Sequence, residues 1–294
     1  MRKYLFALTA LCALTYSSCS KDQGNSNNPP ATPPVAVVKE VKFQENPTLG
    51  KYLVDKEGRT LYFFANDANG QSSCTGGCEA LWPVFNIDNL TQEKLGEGLP
   101  IAGFNTITTT SGKTQLTYKG WPLYYYAPLN IGLNEKEAPG QVGGEGLGGV
   151  WFVAKQDYTI MLANAQLIGK DGKNYLGDYT EGAGKTIYFT DDKGRTLYTF
   201  MNDKLNDNNF TAADFSNNGA WPIYETDKIV VPSVLDKSLF GSINVFGKIQ
   251  LTYKGWPLYF FGDDNQTRGF SKGVSVPTPG VWPVAAKGIK APLS

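Results

Sequence analysis

Two cysteines four positions apart, Cys74 and Cys78 in C-T-G-G-C, form the first grouping able to do chemistry. In an exported chain such a pair oxidises to a disulfide. The ring is small, so its closure stabilises by about 2–3 kcal/mol at most. Redox activity of the pair requires a lowered thiolate pKa, and no Lys, Arg or His stands within several residues to lower it. A second grouping is a spacing that recurs three times: Tyr62-x-Phe64-x-x-Asp67, Tyr198-x-Phe200-x-x-Asp203 and Tyr259-x-Phe261-x-x-Asp264. Asp at such a position either caps a turn through backbone N–H groups or supplies oxygen to calcium. The D-x-D-x-D-G spacing of an EF-hand loop is absent.

Histidine is missing from all 294 residues. This excludes Ser-His-Asp catalysis, His-ligated haem and the H-E-x-x-H zinc site. The cysteine pair lacks the C-x-x-C-H pattern for c-type haem and two further zinc ligands, so no metal or cofactor is expected. Asp191-Asp192 is a pair of adjacent turn acids pointing apart, not two carboxylates across a cleft. The Tyr and Trp residues read as core packing, with a sugar-stacking platform as the functional alternative. No catalytic residue is expected.

Charge points the same way. Lys and Arg total 27 against 27 acidic residues. Removing Arg2 and Lys3 with residues 1–18 leaves 25 against 27, a balance unsuited to phosphate neutralisation, so nucleic acid is not an expected partner.

The elements that must position these residues show in a duplication. QLTYKGWPLY at 115–124 recurs unchanged at 250–259, and GRTLY at 58–62 recurs at 194–198. Identity over ten residues in register marks a copied unit. A weaker symmetry lies inside each half: YLVDKEGRTLYFF, LTYKGWPLYYY, IYFTDDKGRTLYTF and LTYKGWPLYFF each carry an alternating stretch, a polar turn ending in Gly, and a second stretch centred on Leu-Tyr. Each is a β-hairpin pattern, followed downstream by Trp82, Trp151, Trp221 or Trp282. In TLYFF, Leu61 and Phe63 face one way and Tyr62 and Phe64 the other, so the strand is expected to be buried on both sides. Four hairpins with four Trp side chains are expected to share one core. A further hairpin signal lies at Lys170–Lys173, and helical periodicity is confined to Thr91–Gly96, with Thr91 as its cap. The expected fold is all-β: four hairpin repeats in two pseudo-twofold halves, 41–158 and 159–294, sandwich-like or propeller-like. The second-half equivalents of Cys74 and Cys78 are Phe210 and Asp214, so the pair is used once.

The N-terminus reads as an address. Arg2 and Lys3 precede the apolar run Leu5–Leu14, too short to span a bilayer. Ser17 and Ser18 then lead to Cys19, an arrangement that resembles a bacterial lipobox with lipidation at Cys19. Residues 19–40 form a Pro- and Asn-rich tether expected to stay unfolded. Ser20-Lys21-Asp22 resembles the surface-export signal of Bacteroidetes lipoproteins.

The repeated units resemble the secreted-repeat lipoproteins defined by a Y-x-(F/W/Y)-x-x-D motif. The stretch 58–85, with its Cys pair and Trp-Pro, is similar to that family's first repeat; QLTYKGWPLYYY with GLGGVWFV is similar to its second. The likeness covers most of residues 50–153 and 186–284. The second unit departs from it, since Leu129 stands where the motif has Asp. Phe152 and Pro283 replace the His that many members carry after Trp, so no metal or haem role passes to this chain. The resemblance implies secretion, lipidation and no particular activity. The expectation is a lipid-anchored outer-membrane protein of the cell envelope, surface-exposed, with a non-catalytic binding or scaffold role toward a surface ligand or envelope protein. The alternatives are an accessory of extracellular electron or thiol redox through Cys74 and Cys78, and a glycan-binding protein.

Overall fold

The computed structural model describes residues 36–132 and 135–293. The expected signal segment, Cys19 and most of the expected tether lie outside the described residues. From Val37 onward the chain forms one compact unit. Its packing begins where Lys39 and Glu40 bond the backbone carbonyls of Glu93 and Lys94.

Among the described residues thirteen short strands carry the fold: β1 Val41–Asn46, β2 Gly50–Asp55, β3 Tyr62–Phe64, β4 Phe104–Thr108, β5 Thr114–Tyr118, β6 Trp121–Pro122, β7 Trp151–Val153, β8 Met161–Ile168, β9 Asn174–Tyr175, β10 Lys185–Thr190, β11 Phe240–Val245, β12 Lys248–Tyr253 and β13 Trp256–Pro257. They form five small antiparallel sheets: β1-β2, β3-β7, β4-β5-β6, β10-β8-β9 and β11-β12-β13. The architecture is all-β with repeats, and among the described residues no sheet exceeds three strands.

The two copies use the same local devices. After β2 the turn at Asp55–Gly58 sends the chain back, with a bridge between Val54 and Thr60; after β10 the turn at Asp191–Gly194 does the same, with a bridge between Thr190 and Thr196. In the ten-residue repeat, Tyr118 pairs with Trp121 and Tyr253 with Trp256 across two-residue loops. Both loop residues have positive φ, 50° and 78° at Lys119-Gly120 and 50° and 84° at Lys254-Gly255. This is the geometry whose twist matches a β-ribbon. Each lysine amine is tied down, Lys119 to Asp192 and the Gln156 carbonyl, Lys254 to the carbonyls of Lys287 and Ile289. The Gln that opens the repeat is buried in both copies, and its Nε2 donates at 2.9 Å to the carbonyl of Leu123 or Leu258. The Lys170–Lys173 signal turns β8 into β9.

The alternation in TLYFF divides two cores. Leu61 and Phe63 enter a cluster with Val41, Leu116, Trp121 and Met161, while Tyr62 and Phe64 enter another with Trp82, Tyr124 and Trp151. In the second half Leu197 and Tyr198 part in the same way. The expectation of one shared tryptophan core is corrected. Trp82 and Trp151 belong to one cluster and Trp221 and Trp282 to a separate one, because each hairpin strand is itself a two-sided partition. The helical signal at Thr91–Gly96 yields a 3-10 turn over Gln92–Lys94, and the Thr91 side chain makes no capping bond. A five-residue helix, α1 Gly77–Leu81, has no periodic signal in the sequence; it starts between the two cysteines.

Phe63 is 2% exposed at the centre of its cluster. Phe63→Ala is expected to destabilise by about 3–5 kcal/mol, read as a lower denaturation midpoint in urea.

Candidate functional site

The motif residues converge on two matching centres, one per half. In the first, Tyr62 bridges Tyr124 and pairs with Val153, and Tyr124 also bridges Val84; in the second, Tyr198 bridges Tyr259 and Val284, and Tyr259 bridges Ile223. The backbone places the two motif tyrosines of each half side by side.

Around each tyrosine pair runs a stack of four rings. Trp82 and Trp151 lie 3.7 Å apart at 4°, with Phe64 outside Trp151 and Tyr126 outside Trp82. Trp221 and Trp282 lie 3.7 Å apart at 7°, with Phe200 outside Trp282 and Phe261 outside Trp221. The second aromatic of every motif thus ends a stack. The motif tyrosines meet the same tryptophans edge-on, Tyr62 on Trp82, Tyr124 on Trp151, Tyr198 on Trp221 and Tyr259 on Trp282. Offset-stacked and edge-to-face pairs of this kind are favoured by the ring quadrupoles.

The carboxylates complete the arrangement by exchange. Asp67, on the first hairpin, accepts the hydroxyl of Tyr124, on the second, at 2.6 Å. Asp203 accepts the Tyr259 hydroxyl at 2.8 Å, and Asp264 returns the contact by accepting that of Tyr198 at 2.6 Å. The other oxygen of each takes a downstream backbone N–H, that of Ser73, Asn209 or Lys272, at 2.8–2.9 Å. The turn-capping reading describes half of this role; the tyrosine half was not legible. The second unit, with Leu129 in place of Asp, does not leave Tyr62 unpaired. Glu137, further along the same loop, accepts its hydroxyl on Oε1 and the Gly143 N–H on Oε2. The substitution in the motif is repaired by a longer side chain on a longer loop.

Sequence reasoning also missed two glycines. Gly144 and Gly273 donate their N–H to the oxygens of Tyr62 and Tyr198. A Cβ would fall 2.8 Å from Trp82 and Tyr62 at Gly144, and 2.7 Å from Trp221 and 2.8 Å from Tyr198 at Gly273. They lie seven residues before Trp151 and nine before Trp282, so no common spacing betrays them.

Cys74 and Cys78 sit at disulfide distance, with Cα atoms 5.3 Å apart. Cys74 is buried in the first aromatic cluster. At its second-half equivalent, Phe210 packs edge-on against Trp282. The pair thus fills a place that an aromatic ring fills in the other copy.

Burial sets the electrostatics. Loss of water pushes Asp67 up to about 6, Asp203 to about 7 and Asp264 to about 6, against hydrogen bonds that lower them. Glu137 is raised by the same cause. Burial and the adjoining carboxylates drive Tyr62, Tyr124, Tyr198 and Tyr259 far above the usual tyrosine range. Each centre is therefore a hydrogen-bonded unit in an apolar shell whose carboxylates hold their protons more tightly than free ones.

Three stretches, residues 45–86, 105–130 and 245–286, match a protein family described as a secreted repeat of unknown function. Over these stretches the chain is similar to that secreted-repeat family. The matched stretches hold motif units one, two and four; the unit around Tyr198 lies outside them, although its contacts repeat those of Tyr62. No curated protein matches the chain, and no solved structure does. Among the described residues no helix is long and apolar enough to cross a membrane.

Glu137→Ala leaves the buried Tyr62 hydroxyl without its acceptor and is expected to cost about 1–3 kcal/mol; Glu137→Gln, which still accepts, should cost less. Equal urea midpoints for wild type and Glu137→Ala would remove the repair role. The raised aspartates hold protons that the unfolded chain has released, so they stabilise fully below about pH 4 and lose that contribution as pH rises through 6–7. With no histidine to titrate in this window, melting temperature should fall between pH 5 and 8. Asp203→Asn should flatten the fall, checked by thermal denaturation across that range.

Proposed function

We propose that the protein is a lipid-anchored envelope protein, held through Cys19, with a non-catalytic binding or scaffold role at the cell surface. The observation behind the non-catalytic reading is the fate of the motif's reactive groups. Asp67, Asp203 and Asp264 are 0–6% exposed, and the tyrosines they accept are fully buried. Both oxygens of each carboxylate are engaged by the protein's own donors. A general acid or base must reach a substrate proton, and these groups face inward to each other. The motif builds a scaffold, and recognition falls to the loops and sheet faces that the scaffold holds apart.

The anchor reading rests on the short apolar run before Cys19 and on the polar, Pro-rich segment after it. Its test is fractionation of cells making the wild-type chain or Cys19→Ser, with labelled palmitate in the medium. The wild type should carry label and pellet with membranes, and the variant should be unlabelled and leave the membrane fraction. A variant that stays membrane-bound contradicts the anchor.

A further inference from the structure

One surface groove differs from the rest of the molecule in its chemistry. It encloses about 640 Å³ between the face of β4-β5 and the loops at Asn69–Gln71, Lys193 and Gln266–Arg268. Lys119, Lys193 and Arg268 line it, and none of the residues lining it is acidic. Lys119 is paired with Asp192. Among the described residues Lys193 and Arg268 form no ion pair.

Arg268 is fixed in place. Its Nε donates to the Ala68 carbonyl at 3.0 Å and its guanidinium lies 4.6 Å from the Trp121 ring centroid. Its Nη2 is buried with no hydrogen-bond partner among the described residues. Burial lowers its pKa to about 10, so it is charged at neutral pH. The repeat does not require it. Gly269 donates to the Gly194 carbonyl as Gly140 does to Gly58, and the residue before Gly140 is Pro139. The cation is an addition specific to the second copy.

The remaining polar lining is made of carboxamides. Asn69 and Asn105 use their Oδ1 atoms on backbone N–H groups, and Gln266 uses Oε1 on Arg195. Among the described residues their NH2 groups make no hydrogen bond, so the groove presents donors. Phe104, partly exposed, supplies an apolar wall. Two cations without a salt-bridge partner, Arg268 with the carboxylates of Asp67 and Asp191 in its field, a row of amide donors and an aromatic wall complement a ligand that is oxygen-rich, anionic and apolar on one face.

We propose that this groove binds an acidic oligosaccharide, its carboxylate or sulfate facing Lys193 and Arg268 and its hydroxyls the carboxamides. This deepens the surface-binding reading above and rests on it. The test is calorimetric titration of the full-length protein in detergent with trigalacturonate, a chondroitin sulfate tetrasaccharide, neutral maltotriose and sodium sulfate. The expected result is binding of at least one acidic oligosaccharide, at least tenfold tighter than maltotriose or free sulfate. It should weaken tenfold in Lys193→Gln, a variant at an exposed residue, and stay unchanged in Lys237→Gln, remote from the groove. Binding that ignores Lys193→Gln, equal affinity for maltotriose, or equal affinity for sulfate each overturns the proposal, and so does silence from both acidic sugars. Such silence leaves the anchor reading to its own fractionation test, so the two failures are distinguishable.

Discussion

The fold depends on an exchange of hydrogen bonds. Within each half, the carboxylate that follows one hairpin accepts the hydroxyl of the tyrosine on the other hairpin. Neither hairpin can satisfy its own buried tyrosine; each requires its sister. A lone two-stranded hairpin is marginal in water, and these small sheets are joined where the polar groups at their junction are mutually satisfied inside an aromatic shell. A buried hydroxyl without a partner carries a desolvation cost, so the exchange also disfavours a half with its hairpins undocked.

The same constraint gives the Y-x-(F/W/Y)-x-x-D spacing a physical meaning. The tyrosine stands edge-on to a tryptophan and reaches across; the second aromatic, two residues on and on the same strand face, ends the ring stack; the aspartate, past the strand end, turns back to the sister tyrosine and pins the next loop through a backbone N–H. Where the second unit lacks the aspartate, the geometry keeps the interaction through Glu137. The conserved element between the copies is the contact, and the residue supplying it varies.

Much of this was legible beforehand. The ten-residue repeat fixed the copies, the alternation in TLYFF announced a strand buried on both faces, and the Lys-Gly turns announced tight hairpins. Three things were hidden for physical reasons. The pairing of Asp67 with Tyr124 joins residues on different hairpins, and no local period encodes which strand docks on which. The division into separate cores follows from where the strands lie between clusters, which periodicity alone leaves open. Glu137, Gly144 and Gly273 sit in loops of unequal length, so their equivalence exists in space and not in spacing. The groove bearing Lys193 and Arg268 was hidden for a related reason: its two cations without a salt-bridge partner come from the second copy and its amides largely from the first.

The exchange is tested most directly by a double-mutant cycle on one of its bonds, Tyr259→Phe, Asp203→Asn and the pair together, each measured by urea denaturation at pH 8. Contacting partners in a buried network are expected to couple by at least about 1 kcal/mol, with the double variant less destabilised than the sum of the singles. Additivity to within about 0.3 kcal/mol would mean that the two side chains do not depend on each other, and would contradict the account.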